Sequence, residues 1–137
     1  MGRVTVEFEL TNNSDMMLLE AGFLTPDRVR RVVMTGVIDT GAARLVLPQG
    51  VCELLGLPLK GQSVVRYADH RREKRDVVSN AHVAFLGRSG VFNAIVEPSR
   101  SDALIGAIVL EDLDMVVDCL GQKVIPRESD FILTEVE

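Results

Sequence analysis

Apolar and polar positions alternate cleanly at the start of the chain, where Val4, Val6, Phe8 and Leu10 interleave with Thr5, Glu7 and Glu9. A period of two predicts a half-buried strand. Thr11 to Asp15 is dense in turn formers, and Met16 to Leu24 is an apolar stretch of open type in which Ala21-Gly22 interrupts a strand or marks a bulge. A second turn at Thr25-Pro26-Asp27 leads through Arg28, Arg30 and Arg31, read as a solvated edge, into the β-branched run that ends at Val37-Ile38. Leu45-Val46-Leu47 predicts a further strand. Pro48 then stands at a plausible first helical position, Val51, Leu54 and Leu55 share a face, and Gly56 stops a helix of about two turns.

Beyond the Gly56 to Gly61 connector, Gln62 to Ala68 and Asp76 to Val83 pattern as the arms of a hairpin whose tip is the charged stretch Asp69 to Arg75. Ala81 to Leu86 and Val91 to Val96 form the next pair, joined by Gly87-Arg88-Ser89-Gly90. Glu97 to Asp102 is a loop, and Leu104-Ile105-Gly106 opens a short helix whose apolar face is expected from Ile108, Leu110, Leu113 and Met115. Val116 to Asp118 begins a last hairpin with its turn near Gly121, and the apolar triplet Phe131-Ile132-Leu133 suggests a strand added to this sheet or to a partner's.

The strand ending at Ile38 delivers Asp39-Thr40-Gly41-Ala42 onto a turn between two apolar strands. Asp and Thr supply side-chain oxygens and Gly tolerates positive φ, so the chain can reverse there. A carboxylate placed between apolar strands must be hydrogen-bonded, paired or partly protonated, because burial disfavours its charged form. Asp39 is the candidate for acid–base chemistry.

At 137 residues the chain is expected to be one domain, residues 1–137, with no repeat, linker or low-complexity segment. Its 47% hydrophobic content argues against disorder. A net charge of -5, with a pI near 5.1, argues against nucleic acid or an anionic membrane as principal partner. No apolar run approaches the ~18 residues of a membrane span, and the N-terminus lacks an apolar signal core, so a soluble, cytoplasmic protein is expected. Cys52 and Cys119 belong to no metal-binding spacing and read as two reduced, buried thiols. His70 and His82 stand alone, so no metal site and no cofactor are expected. The basic residues from Arg66 to Arg75 read as a solvated hairpin tip rather than a selector of acidic ligands.

Two hydrophobic residues followed by Asp39-Thr40-Gly41-Ala42, with Leu104-Ile105-Gly106 downstream, resemble the two signatures of retropepsin-like aspartic proteases. The phrase from Leu45-Val46-Leu47-Pro48 to Leu55-Gly56-Leu57-Pro58 is similar to bacterial members of that family. The likeness extends from Val4 to about Pro126. It implies an all-β fold, a retropepsin-like closed β-barrel of the acid protease type with one or two short helices. It also implies a catalytic Asp39, a Thr40 that braces paired loops, a Gly41 that admits the substrate backbone and an Ala42 that lines the cleft. By position the hairpin bearing Tyr67, Ala68, Asp69 and His70 is the flap. Its tip departs from retroviral flaps in carrying charge and no glycine.

Aspartic proteases work with two carboxylates that share a proton and hold a water between them, and the pair titrates as a unit. This chain has one Asp-Thr-Gly. The resemblance therefore implies a homodimer, with both Asp39 side chains on a two-fold axis, cleaving a peptide or protein substrate without metal or cofactor. The second reading is a non-catalytic dimerisation or peptide-binding module on the same barrel. A phosphatase with Asp39 as nucleophile is disfavoured, because no second aspartate sits two residues on.

Overall fold

Strand β1 (Thr5–Asn12) is the seam of the molecule, because it pairs with a strand on each side. In the computed structural model, which describes residues 3–137, β1 runs antiparallel to β2 (Arg31–Ile38) along most of its length. Its second half, Glu9 to Asn12, also pairs antiparallel with Ala81 to Ala84 of β5 (Arg72–Phe85). That double pairing closes a six-stranded barrel in the order β1, β2, β7 (Ala103–Ile105), β3 (Leu45–Pro48), β6 (Arg88–Glu97), β5. Strand β4 (Leu59–Arg66) pairs only with the first half of β5, so the β4/β5 hairpin projects beyond the barrel wall. A smaller hairpin, β8 (Met115–Asp118) and β9 (Lys123–Pro126), completes the β structure.

The alternating pattern places Phe8 and Leu10 inside, where they meet Leu45, Leu47, Val83 and Ile105 in one hydrophobic core. These side chains are almost fully removed from water, each stabilising the barrel by roughly 1.5–3 kcal/mol relative to exposure. Strand β5 serves three ladders: β6 pairs with it on both sides of a bulge between Val78 and Ala81, and at that bulge, with Asn80 at φ 62°, its other partner changes from β4 to β1. The β5/β6 turn is tighter than the Gly87 to Gly90 loop expected from sequence. Leu86 and Gly87, at φ 53° and 77°, form a two-residue connection suited to the strands' twist.

Among the described residues three short α-helices, rather than one or two, flank the barrel: α1 (Asn13–Glu20), α2 (Gln49–Leu55) and α3 (Ala107–Asp112). The apolar stretch after Asp15 is thus part of a helix, not a strand. Asn12 explains its start: its side-chain oxygen accepts from the Asp15 N–H at 3.1 Å, and its amide donates to the Leu55 carbonyl at 2.8 Å. One buried side chain therefore caps the start of α1 and the end of α2. In α3 the inward residues are Val109 and Leu110, whereas Ile108 is exposed. The Phe131-Ile132-Leu133 triplet joins no strand. Its backbone is held instead by Arg88, which donates to the Phe131 carbonyl, and by Asp114, which accepts from the Leu133 N–H.

Arg30 is not a free edge charge. Its backbone N–H and Nε donate to Asp15 Oδ2 at 3.0 and 2.9 Å, and Nη2 donates to Oδ1 at 3.1 Å. The guanidinium hydrogen bond holds the Asp15 carboxyl below its ordinary value of 3.8. A carboxyl with a depressed folded-state pKa stabilises the fold above its unfolded pKa, and that stabilisation is lost as pH falls through the folded value. Asp15→Asn is expected to lower stability at neutral pH by about 1–2 kcal/mol, Arg30 being half exposed. The variant's deficit should shrink as pH drops below 4, measured by urea unfolding of both proteins across pH.

Of the two thiols, Cys52 is buried, and burial pushes it up to about 11, so it is unreactive near neutrality. Cys119 is exposed and unbonded, contrary to the expectation of two buried thiols.

Candidate active site

Asp39 is the first residue past β2, and the ladder that ends that strand still holds it. Its backbone N–H donates to the Ile105 carbonyl of β7 at 3.0 Å, continuing the parallel pairing of Ile38 with Ile105. Its side chain closes the turn: Oδ1 accepts from the Gly41 N–H at 2.9 Å, and its carbonyl accepts from the Ala42 N–H at 3.2 Å. This Asx turn fixes one carboxylate oxygen, and Asp39 lines an open cleft. Asp39 is partly buried, while Thr40 and Gly41 are exposed at the loop's outer edge.

The two sequence motifs interlock. Ala42 and Ala43 accept, through their carbonyls, the N–H groups of Ala107 and Ile108 at 2.8 and 3.0 Å. The first turn of α3, which has no side-chain cap, is thus satisfied by the Asp39 loop. Gly106 makes this approach possible. A Cβ built there would stand 2.7 Å from the Ala42 carbonyl oxygen and 2.8 Å from the Arg44 nitrogen, and closer still to the Arg44 carbonyl oxygen. Ile105 is sealed in the core, while Leu104 turns to the cleft.

The cleft holds about 840 Å³, within the range of sites that bind ligands. Its floor includes Val46, Ile95 and Leu104, the Asp39 loop forms one wall, and the β4/β5 hairpin stands over it. Among the hairpin residues singled out from sequence, Tyr67 and Ala68 line the cleft. Asp69 and His70 lie at the exposed turn, where Asp69 Oδ1 accepts from the Arg71 N–H and His70 adopts φ 68°. The left-handed backbone at His70 replaces the glycine expected of such a turn.

Glu97, expected to begin a loop, is instead the buried last residue of β6 and carries 6% exposure. It accepts from the Tyr67 hydroxyl at 2.6 Å and from Arg75 Nε at 2.9 Å, and Arg75 Nε also lies 3.1 Å from the Tyr67 oxygen. The Arg71 guanidinium lies over the Tyr67 ring, 4.5 Å from its centre. Burial, and then the bond to Glu97, push the Tyr67 phenol above its ordinary pKa. The available signal was an acidic residue directly continuing the apolar run Val91 to Val96. Tyr67→Phe is expected to cost about 1 kcal/mol and to speed amide exchange in Val64 to Lys74, read by hydrogen–deuterium exchange; unchanged exchange would mean the network does not anchor the hairpin.

Two carboxylates line the cleft among the described residues, Asp39 and Glu97, and Glu97 is engaged by Tyr67 and Arg75. No group of three His, Cys, Asp or Glu side chains suited to a metal ion occurs among the described residues. No helix among them is long and apolar enough to cross a membrane. No protein-family model matches the chain, and no curated protein matches it.

Proposed function

We propose that the chain is a retropepsin-like aspartic endopeptidase that acts as a homodimer. The observation that carries this reading is the placement of Asp39: a carboxylate fixed by an Asx turn, lining a peptide-sized cleft beneath a projecting hairpin, on a loop locked by Gly106. The chemistry requires a second carboxylate. Glu97 is a poor candidate because a tyrosine and an arginine already occupy its oxygens. The exposed Thr40 and Gly41 edge leaves room for the same loop of a second copy, which would bring Asp39 to Asp39 across a two-fold axis.

In this reading one Asp39 accepts a proton from a water held between the pair as that water attacks the scissile carbonyl. The other donates a proton to the carbonyl oxygen, and the tetrahedral adduct then collapses with proton transfer to the leaving amine. Thr40 braces the paired loops and Gly41 admits the substrate backbone. The hairpin, anchored by Tyr67 and Glu97, limits water access.

The alternative, a peptide-binding or dimerisation module without catalysis, draws on the same anchor. A hairpin pinned beside its turn by Tyr67 and Arg75, and lacking glycine there, opens less readily than a free, glycine-rich one. Incubation of the full chain with a denatured protein at acid pH, with and without a statine-type transition-state mimic, separates the two. Fragments that disappear with the inhibitor support the protease; an uncut substrate in the presence of a proven dimer supports the module.

A further inference from the structure

The cleft carries a charge opposite to that of the chain. The molecule as a whole has a net charge of -5, yet Arg44, Arg66, Arg71 and Arg100 all line the cleft with Asp39. None of the four has a carboxylate partner among the described residues, whereas Arg75 in the same cleft is paired with Glu97. They come from separate elements: Arg44 from the Asp39 loop, Arg66 and Arg71 from the hairpin, Arg100 from the loop before β7. Arg100 is held in place by its Nε bond to the Asp102 carbonyl at 3.0 Å, and Arg71 by the Tyr67 ring. Four arginines without a carboxylate partner among the described residues therefore line the same cleft as Asp39.

We infer that the cleft selects acidic peptides, taking Glu or Asp side chains against the Arg66/Arg71 and Arg44/Arg100 walls and an apolar side chain on the Val46, Ile95 and Leu104 floor. This rests on the reading of the cleft as a peptide site. An extended peptide directs successive side chains to opposite faces, so one strand could present carboxylates to the hairpin and apolar groups to the floor. Guanidinium groups suit carboxylates because their donors match a two-oxygen acceptor. A nucleic acid is the less suitable polyanion: Tyr67 is the chain's one tyrosine, there is no tryptophan, and its ring is already covered by Arg71, leaving little for bases to stack on.

The test uses the full-length Asp39→Asn chain, which separates binding from cleavage. The probes are labelled octapeptides of one apolar framework carrying Glu, Gln or Lys at matched positions, and a single-stranded oligonucleotide. Fluorescence anisotropy at about pH 6, where Glu is ionised, should show the Glu peptide bound about tenfold more tightly than the Gln peptide, and the Lys peptide weakest. The preference should fall as salt rises. It should shrink to about twofold when Arg66→Gln and Arg100→Gln are combined. Equal binding of Glu and Gln peptides, no binding of any peptide, or tighter binding of the oligonucleotide would overturn the inference. Cleavage by the unmodified chain distinguishes the two layers. Equal cutting of Glu and Gln peptides removes charge selection and leaves the protease; a Glu preference in binding with no cutting removes the protease and leaves charge selection.

Discussion

Asp39→Asn is expected to reduce peptide hydrolysis at least ~10³-fold while leaving the melting temperature within about 2 °C of the parent. The two halves of this expectation have separate physical sources. Both copies in the homodimer change at once, and an amide can neither take the proton from the attacking water nor donate one to the scissile carbonyl oxygen as a carboxyl does, so both protonation roles vanish together. The structural role of the side chain survives, because the Asn Oδ1 can still accept from the Gly41 N–H that Asp39 Oδ1 now holds at 2.9 Å. The backbone bond from residue 39 to the Ile105 carbonyl involves no side chain. Hydrolysis rates and thermal melts on the same preparation check both halves. Unchanged hydrolysis would falsify the assignment of Asp39 as the catalytic acid–base.

Gly106→Ala should produce the largest loss of stability among the single changes considered. The methyl group would meet backbone, not side chain: the carbonyls of Ala42 and Arg44 and the Arg44 nitrogen. None of these can rotate away, so relief requires separating α3 from the Asp39 loop and weakening the bonds from Ala107 and Ile108. The expected cost is about 3 kcal/mol, a melting temperature lower by about 10 °C. Activity should fall further than stability alone explains, because the displaced atoms belong to the loop that carries Asp39. Gly36→Ala is the informative comparison. There the added carbon meets the Ile105 Cδ1 at 2.7 Å and the Phe8 ring edge at 3.0 Å, side-chain atoms with some freedom to move. A cost of about 1 kcal/mol is expected, and a larger loss at Gly36 than at Gly106 would show that the loop contact is soft.

The parts of this architecture legible in the sequence are those written in local patterns. Alternation located β1, the β-branched run located β2, and Gly56, in the left-handed conformation at φ 60°, ended α2 as its position predicted. The Asp39 turn and Gly106 were each visible as motifs, but their mutual contact is a product of the parallel pairing of β2 with β7. The misread positions share another cause. Met16 to Glu20 lacks helical periodicity because α1 buries only Asp15, so Asn12 and tertiary contacts decide its conformation. Arg30 reads as a solvated edge and Glu97 as the start of a loop because their partners, Asp15, Tyr67 and Arg75, lie 15, 30 and 22 positions away. The cleft's arginines are scattered between Arg44 and Arg100, and only the hairpin's fold over the floor brings them to one space.

The central claim is that one chain holds half of a catalytic pair, and the most direct test is mass in solution across a concentration series by light scattering, with hydrolysis followed on the same samples. The account predicts a species of about 30 kDa, twice the 15.0 kDa chain, whose specific activity falls in step with dissociation on dilution. A chain that stays at 15.0 kDa at the highest concentration, or hydrolysis that persists undiminished in the monomer, would contradict it.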